Sequence, residues 1–278
     1  MMCRFDVRTI MLFLAVLLLA PQGAEALEER MNTATLGVET QYNRFKSDTM
    51  KEHGILYGAN GAYTYRGRLV MDKLPKGMFR LEGRIIFGRI QFDGQLFDGN
   101  HYDIKKAKDF DGEVRSLVGY DFPVFSSTTV TPFIGMGYRY FRDDLSKSNA
   151  GYRRISNYFY TPVGFETRTP FGTGWSAGLV LEYDLFWFGR QDTYLSDLDP
   201  LFSDLTNDQD SGYGFKTSIK VRKEMDDKNY VLEPYVSYWN AGSSDTQKVY
   251  HTGVYGGLNY QEPESSTTEI GVKAGVEF

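Results

Sequence analysis

Three histidines, His53, His101 and His251, are the side chains in this sequence whose ordinary pKa suits proton transfer near neutrality. All three fall in polar stretches that read as loops. The richest setting is Asp98-Gly99-Asn100-His101-Tyr102-Asp103, where a carboxylate within hydrogen-bond reach would orient the imidazole as a general base. An ordinary polar surface loop has the same composition. A second stretch, residues 190–211, carries Asp192, Asp197, Asp199, Asp204, Asp208 and Asp210 but lacks the spacing of an EF-hand, so solvated aspartates account for it as well as calcium would. Gly135-Met136-Gly137 and Gly172-Thr173-Gly174 read as strand and turn glycines, not as phosphate cradles. From these residues no catalytic group, metal or cofactor is assigned, and the chain reads as non-enzymatic.

The elements that hold these residues begin with a leader. Arg4 and Arg8 precede an apolar run from Ile10 to Ala20, and Ala24-Glu25-Ala26 supplies a small-x-small site, the pattern of a secretory signal peptide over residues 1–26. The run is shorter than the roughly 20 residues a membrane helix requires. Cleavage leaves Leu27 as the first residue of a mature chain of 27–278. Cys3, the sole cysteine, precedes the apolar run, so the mature chain has no thiol and its stability rests on backbone hydrogen bonding and packing. The net charge of −5 and the lack of a dense basic patch exclude nucleic acid as a partner class. A mean hydropathy of −0.40 looks soluble, but strands that alternate polar and apolar residues average to such a value.

Twenty Tyr, 20 Phe and 29 Gly against 9 Pro favour strands and turns. From Trp175 to Phe188 the odd positions, Trp175, Ala177, Leu179, Leu181, Tyr183, Leu185 and Trp187, are wholly apolar, whereas the even ones include Ser176, Glu182 and Asp184. That is a period of two sustained for longer than the 9–11 tilted residues that cross a bilayer. Gly212–Lys223 repeats it, with Tyr213, Phe215, Thr217, Ile219 and Val221 on one face and Lys216, Ser218, Lys220 and Arg222 on the other. So does 267–278, and weaker versions occur near 33–45, 54–66, 78–92, 113–122, 129–142, 155–167 and 230–240. About ten strands result. Their links alternate: long ones near 46–53, 93–112, 143–154, 189–211 and 241–266, and short ones near 67–77, 123–128, 168–174 and 224–229. The fold class is therefore all-β, a closed antiparallel transmembrane barrel of up-and-down hairpins, because an open sheet would leave unpaired backbone groups in hydrocarbon. Trp175 and Trp187 lie twelve residues apart, about 28 Å along the membrane normal, the separation of two aromatic girdles.

Phase then assigns the interior. Glu39, Arg80, Glu82, Arg84, Glu113, Arg115, Asp121, Arg139, Glu166, Glu182, Asp184, Lys216, Lys220, Arg222, Glu233, Glu269, Lys273 and Glu277 face inward, with both signs mixed. Hairpin register brings Asp184 near Lys216 and Lys220 near Glu233, a basic strand between two acidic ones. In a ten-stranded barrel such charges pair and fill the lumen; a narrow solute path is the alternative.

With its leader, its alternating strands and a C-terminal Glu269-Ile270-Gly271-Val272-Lys273-Ala274-Gly275-Val276-Glu277-Phe278, the chain resembles small outer-membrane β-barrel proteins of Gram-negative bacteria. Thr131-Pro132-Phe133-Ile134-Gly135-Met136-Gly137-Tyr138 is similar to their strands. The resemblance implies residence among outer-membrane lipids and recognition of the terminal Phe278 strand by the barrel-assembly machinery. It implies a class, not one activity. Omptin-type proteases of ten strands use histidine with carboxylates above the barrel, and their paired motifs find no residue-by-residue match here; nor does a lipid-modifying His and Ser pair. The expected role is structural, or surface interaction through the outer loops; a narrow porin-like channel and an outer-membrane enzyme are the rivals.

Overall fold

A computed structural model describes residues 31–67, 76–95, 99–125, 127–147 and 151–278. The expected leader, 1–26, and Asp98 lie outside the described residues. The strands are β1 (Asn32–Ser47), β2 (Met50–Gly67), β3 (Gly77–Gln95), β4 (His101–Tyr120), β5 (Phe122–Val124), β6 (Thr128–Asp144) and β7 (Arg153–Pro170). They continue as β8 (Trp175–Tyr194), β9 (Leu205–Gln209), β10 (Gly212–Met225), β11 (Lys228–Ala241), β12 (Thr246–His251), β13 (Val254–Gln261) and β14 (Ser265–Glu277). Ten of them, in the order β1-β2-β3-β4-β6-β7-β8-β10-β11-β14, close a ring in which β14 returns to β1 with Val38 opposite Ala274. Every neighbour is antiparallel, so each backbone edge within the ring is paired.

Alternation builds both surfaces. Outward residues form an aliphatic belt that includes Leu36, Val38, Leu81, Ile85, Ile134, Met136, Leu232 and Ile270, all exposed on the barrel's exterior. Aromatic side chains bound it: Tyr42, Tyr57, Phe87, Phe159 and Trp187 at one end and Tyr63, Phe79, Trp175 and Tyr230 at the other. The two tryptophans thus sit outside, at opposite ends of β8, where a ring with a polar edge suits the border between hydrocarbon and water. At the Trp175 end the β7–β8 and β10–β11 links are tight, four and two residues long. Between β7 and β8 the turn closes with Phe171 N–H donating to Trp175 O at 2.9 Å, and Gly172 and Gly174 take φ of +61° and +68°, the left-handed region that a side chain disfavours.

At the other end the strands climb past the belt. Residues 93–112, expected as a loop, are largely strand: β3 runs to Gln95 and β4 starts at His101, with a bulge at Ile90/Gln91. Likewise β1 and β2 meet in a two-residue turn, Asp48-Thr49, where residues 46–53 were expected to be open. Above the bilayer the outer face meets water, not lipid, so the polarity alternation that marks a strand fades while its hydrogen bonding continues. This also moves the histidines: His53, His101 and His251 all lie on strands, β2, β4 and β12. Two additions stand on this taller end, β9 against the top of β8 and the separate hairpin β12–β13.

Candidate functional site

The lumen holds most of the buried charge, arranged as chords that cross it at three heights. In the middle tier Arg139 on β6 donates to Asp111 on β4 at 2.7 Å and to Glu269 on β14. From β6 to β14 is five steps round the ring in either direction, so this contact spans the full diameter. Arg84 on β3 completes the tier, 3.0 Å from Asp111, 2.9 Å from Glu113, 3.2 Å from Glu39 and 3.4 Å from Glu269. Tyr235 donates its hydroxyl toward Glu39 and Gln41, both at 2.5 Å, and Tyr160 donates to Glu113 at 2.6 Å. Two guanidiniums with several donors each are what a set of converging carboxylates requires, since an unpaired buried charge costs several kcal/mol.

Toward the tight-turn end, Arg80 makes a two-pronged contact with Glu166, 2.8 Å in each arm, and Arg66 joins the same carboxylate and Asp121. Arg115 bridges Glu82 at 2.6 Å to Glu182 on the far side. Between these two tiers lies a cavity of about 80 Å³ lined by Arg80, Arg115, Lys216, Lys220, Glu233 and Lys273 among others, room for several waters. Toward the tall end, Arg154 on β7 reaches Glu52 on β2 at 2.8 Å and Asp143 at 2.7 Å, four steps round the ring.

Beside this tier the β2–β3 wall turns apolar, and the apolar surface continues above it. Inward Ile86, Leu56, Ile90, Phe92 and Met50, in rising order, form one cluster with Leu195 and Leu205 from the β8–β10 connection and Val249 from β12, which cap the tall end. That connection and the hairpin are stitched together: Ser203 N–H donates to Tyr250 O at 3.0 Å, Thr252 N–H to Leu201 O at 2.9 Å, and Phe202 bridges His251. His251 Nε2 stands 3.3 Å from Asp199, whose carboxyl is held below the usual aspartate range by the Leu201 amide and then by this imidazole. Four other aspartates of the 190–211 stretch are occupied one by one: Asp197 by Arg153, Asp208 by Arg190, Asp192 by Thr206 and Asp204 by the Ser196 amide. No group of three or more potential metal ligands gathers among the described residues.

The inward charges named from the sequence therefore lie in the lumen, but their partners differ from simple neighbour pairing. Lys220 Nζ is 3.3 Å from Glu233, in line with the register Ser218↔Tyr235 and Val221↔Leu232. Lys216 stands opposite Glu182, while Asp184 faces Gly214 two residues away. Lys216 and Lys273 instead lie over the Tyr235 ring at 5.8 and 5.4 Å. Arg222 reaches Glu277 at 3.7 Å. Phe278 ties the last strand to β1, its N–H donating to Ala34 O at 2.9 Å. The sequence reading missed Glu52, Asp109, Asp111, Asp143 and Arg154, all inward and buried. For Asp109 and Asp111 the signal was present, since both share the inward parity of Glu113 and Arg115. His101 has Asp93 as its carboxylate neighbour, at 3.3 Å, with both side chains more than half exposed. None of the three histidines faces the lumen.

A closed ten-stranded antiparallel barrel with a lipid-facing belt and a charged interior is a transmembrane β-barrel of the outer-membrane type. The outer membrane protease OmpT from Escherichia coli superimposes with a TM-score of 0.56 over 92% of this chain and 99% of its own, at 9% identity. The translocator domain of autotransporter NalP from Neisseria meningitidis aligns over 96% of each chain at 10% identity with a TM-score of 0.43. The toluene transporter TodX of Pseudomonas putida aligns over 95% and 93% at 8% identity and 0.37. No protein family and no curated protein is matched by the sequence.

Proposed function

We propose that this chain is an integral outer-membrane protein with a closed lumen, acting through its outer surface and its contribution to the membrane, not by transport or catalysis. The observation that carries this is the set of chords. Arg139–Glu269, Arg154–Glu52 and Arg80–Glu166 each join strands three to five steps apart, at three heights. A solute would have to break each in turn and then pass the apolar cluster at the tall end. The outward placement of all three histidines supports the non-enzymatic part, and a fold shared with a protease makes peptide hydrolysis the activity to assay.

In this reading the leader is removed at Leu27, the tight turns and both termini face the periplasm, and the strand ending at Phe278 is what the assembly machinery engages. A liposome-swelling assay tests it: vesicles carrying the refolded protein should not swell in small sugars, and swelling at the rate of a general porin would overturn the closed-lumen reading. The cavity of about 80 Å³ favours a second reading, a narrow path for small ions, which swelling would not register and electrical recording would.

A further inference from the structure

The exterior just above the lipid belt is not electrically uniform. On four consecutive strands the first outward position beyond the apolar zone is basic: Arg44 above Tyr42 on β1, His53 above Ile55 on β2, Arg89 above Phe87 on β3 and Lys108 above Phe110 on β4. Register sets them side by side, with Arg44 opposite His53 and Arg89 opposite Lys108. The next outward positions add Lys46 opposite Lys51, and Lys105 opposite Gln91. All of these basic side chains are exposed.

None of Arg44, Lys46, Lys51, Arg89, Lys105 and Lys108 has a carboxylate within ion-pair distance among the described residues. Acids do share the face, in smaller number: Asp93, opposite Lys51 and 3.3 Å from His101, and Asp103, which accepts from Gln91 at 3.2 Å, while Asp144, opposite Lys108, is held by Arg142 at 3.1 Å. The far side of the same rim is built differently. There every arginine has its own carboxylate: Arg142 with Asp144, Arg153 with Asp197 at 2.7 Å and Arg190 with Asp208 at 3.2 Å. The contiguous row of cations without ion pairs thus lies on β1–β4, across about 14 Å of three strand spacings, whereas Lys147 and Lys248 stand apart from it after β6 and on β12.

We infer that this face of β1–β4 binds the phosphorylated headgroup of a glycolipid in the outer leaflet, with the acyl chains lying against the belt below. The inference rests on the proposed orientation, tall end outward. A cationic row seated directly on a lipid-facing row matches one kind of molecule, an amphiphile with its anionic groups at the membrane border. Free phosphate lacks the lower half of that match, and the long exposed side chains form no enclosed pocket for it. Each basic residue beside an anionic surface contributes about fivefold to affinity, and several act together only on a ligand bearing more than one phosphate.

Native mass spectrometry of the refolded protein with diphosphorylated lipid A in mixed micelles tests this. The quadruple variant Arg44→Gln, Arg89→Gln, Lys105→Gln, Lys108→Gln should bind at least about tenfold more weakly. The triple variant Arg142→Gln, Arg153→Gln, Arg190→Gln should bind as the wild type does. On the wild-type protein, lipid A stripped of its phosphates should lose binding, and millimolar inorganic phosphate should not displace the intact lipid; this arm needs no variant to fold. Equal affinity of the quadruple variant and wild type, equal losses in both variants, or retention of the dephosphorylated lipid would overturn the inference. Protease access to a tag in the Asp48-Thr49 turn of whole cells tests orientation separately. A tag cut from outside together with unselective lipid binding defeats the inference alone, whereas a protected tag defeats the orientation on which it rests.

Discussion

Replacing Arg139 with alanine removes a side chain that joins opposite walls of the barrel. Its guanidinium meets Asp111 at 2.7 Å and also Glu269, and the three side chains are 5%, 0% and 2% exposed. Removing one partner of a buried pair ordinarily costs about 3–5 kcal/mol, because the other charge stays buried alone. Here Arg84 remains 3.0 Å from Asp111 and 3.4 Å from Glu269, and the space left by the guanidinium admits water. We therefore expect a smaller loss, about 2–3 kcal/mol, below that ordinary range. The control lies on the outward face of the same strand: Arg142, 42% exposed and 3.1 Å from Asp144, should cost less than about 1 kcal/mol as Arg142→Ala. Urea titration of protein folded into phospholipid vesicles, followed by tryptophan fluorescence, reads both, and Trp239 lies 5.9 Å from the Arg139 guanidinium. Adding Glu269→Ala to Arg139→Ala should recover about 1–2 kcal/mol relative to the sum of the single changes, the scale of coupling between residues of one ionic network. Equal losses for Arg139→Ala and Arg142→Ala, or strict additivity with Glu269→Ala, would refute the cross-lumen chord.

Lys220→Ala removes the ammonium 3.3 Å from Glu233 and leaves it the Ser218 hydroxyl at 2.7 Å and Lys273 as cross-strand neighbour, so a double-mutant cycle with Glu233→Ala should show coupling on the order of 1 kcal/mol in the same urea titration. Ile219, outward and opposite Leu179, should cost about 2–4 kcal/mol as Ile219→Arg, whereas inward Ser218→Ala should cost about 0.5–1.5 kcal/mol for one hydrogen bond; the reverse order of urea midpoints would exchange the inner and outer faces. Because the Asp199 carboxyl is held below its usual range, its contribution to the loop–hairpin latch is complete above the unfolded value of about 3.9 and is lost as pH falls through the lower folded one. Amide exchange at Leu201 and Thr252 should therefore be slow at mildly acidic pH and accelerate only in strong acid, and Asp199→Asn should abolish that pH step.

What the sequence discloses depends on what each face touches. Trp175–Phe188 and Gly212–Lys223 alternate because one side meets lipid and the other water and charge, so both strands and their inward residues could be read directly. At Ile104–Asp109 neither face meets lipid: Ile104 and Ala107 turn inward while Lys105 and Lys108 turn out to water, and a bulge shifts the phase. Asp109 and Asp111 were lost with that stretch. Partners divide in the same way. Lys220 and Glu233 sit on adjacent strands of one hairpin, so register alone pairs them, whereas Arg139–Glu269 and Arg154–Glu52 link strands four or five steps apart, which depends on the barrel's closure and diameter. The basic row on the outer rim was equally hidden, since Arg44, Arg89 and Lys108 are scattered in sequence and become neighbours only through three successive registers.

The closed lumen is tested most directly by single-channel recording in planar bilayers. The wild-type protein should show no sustained conductance steps, while the Arg84→Ala, Arg139→Ala double variant, stripped of both guanidiniums of the middle tier, should show brief ones. A stable, long-lived open level in the wild type, unchanged in the double variant, would contradict the claim that the chords close the barrel.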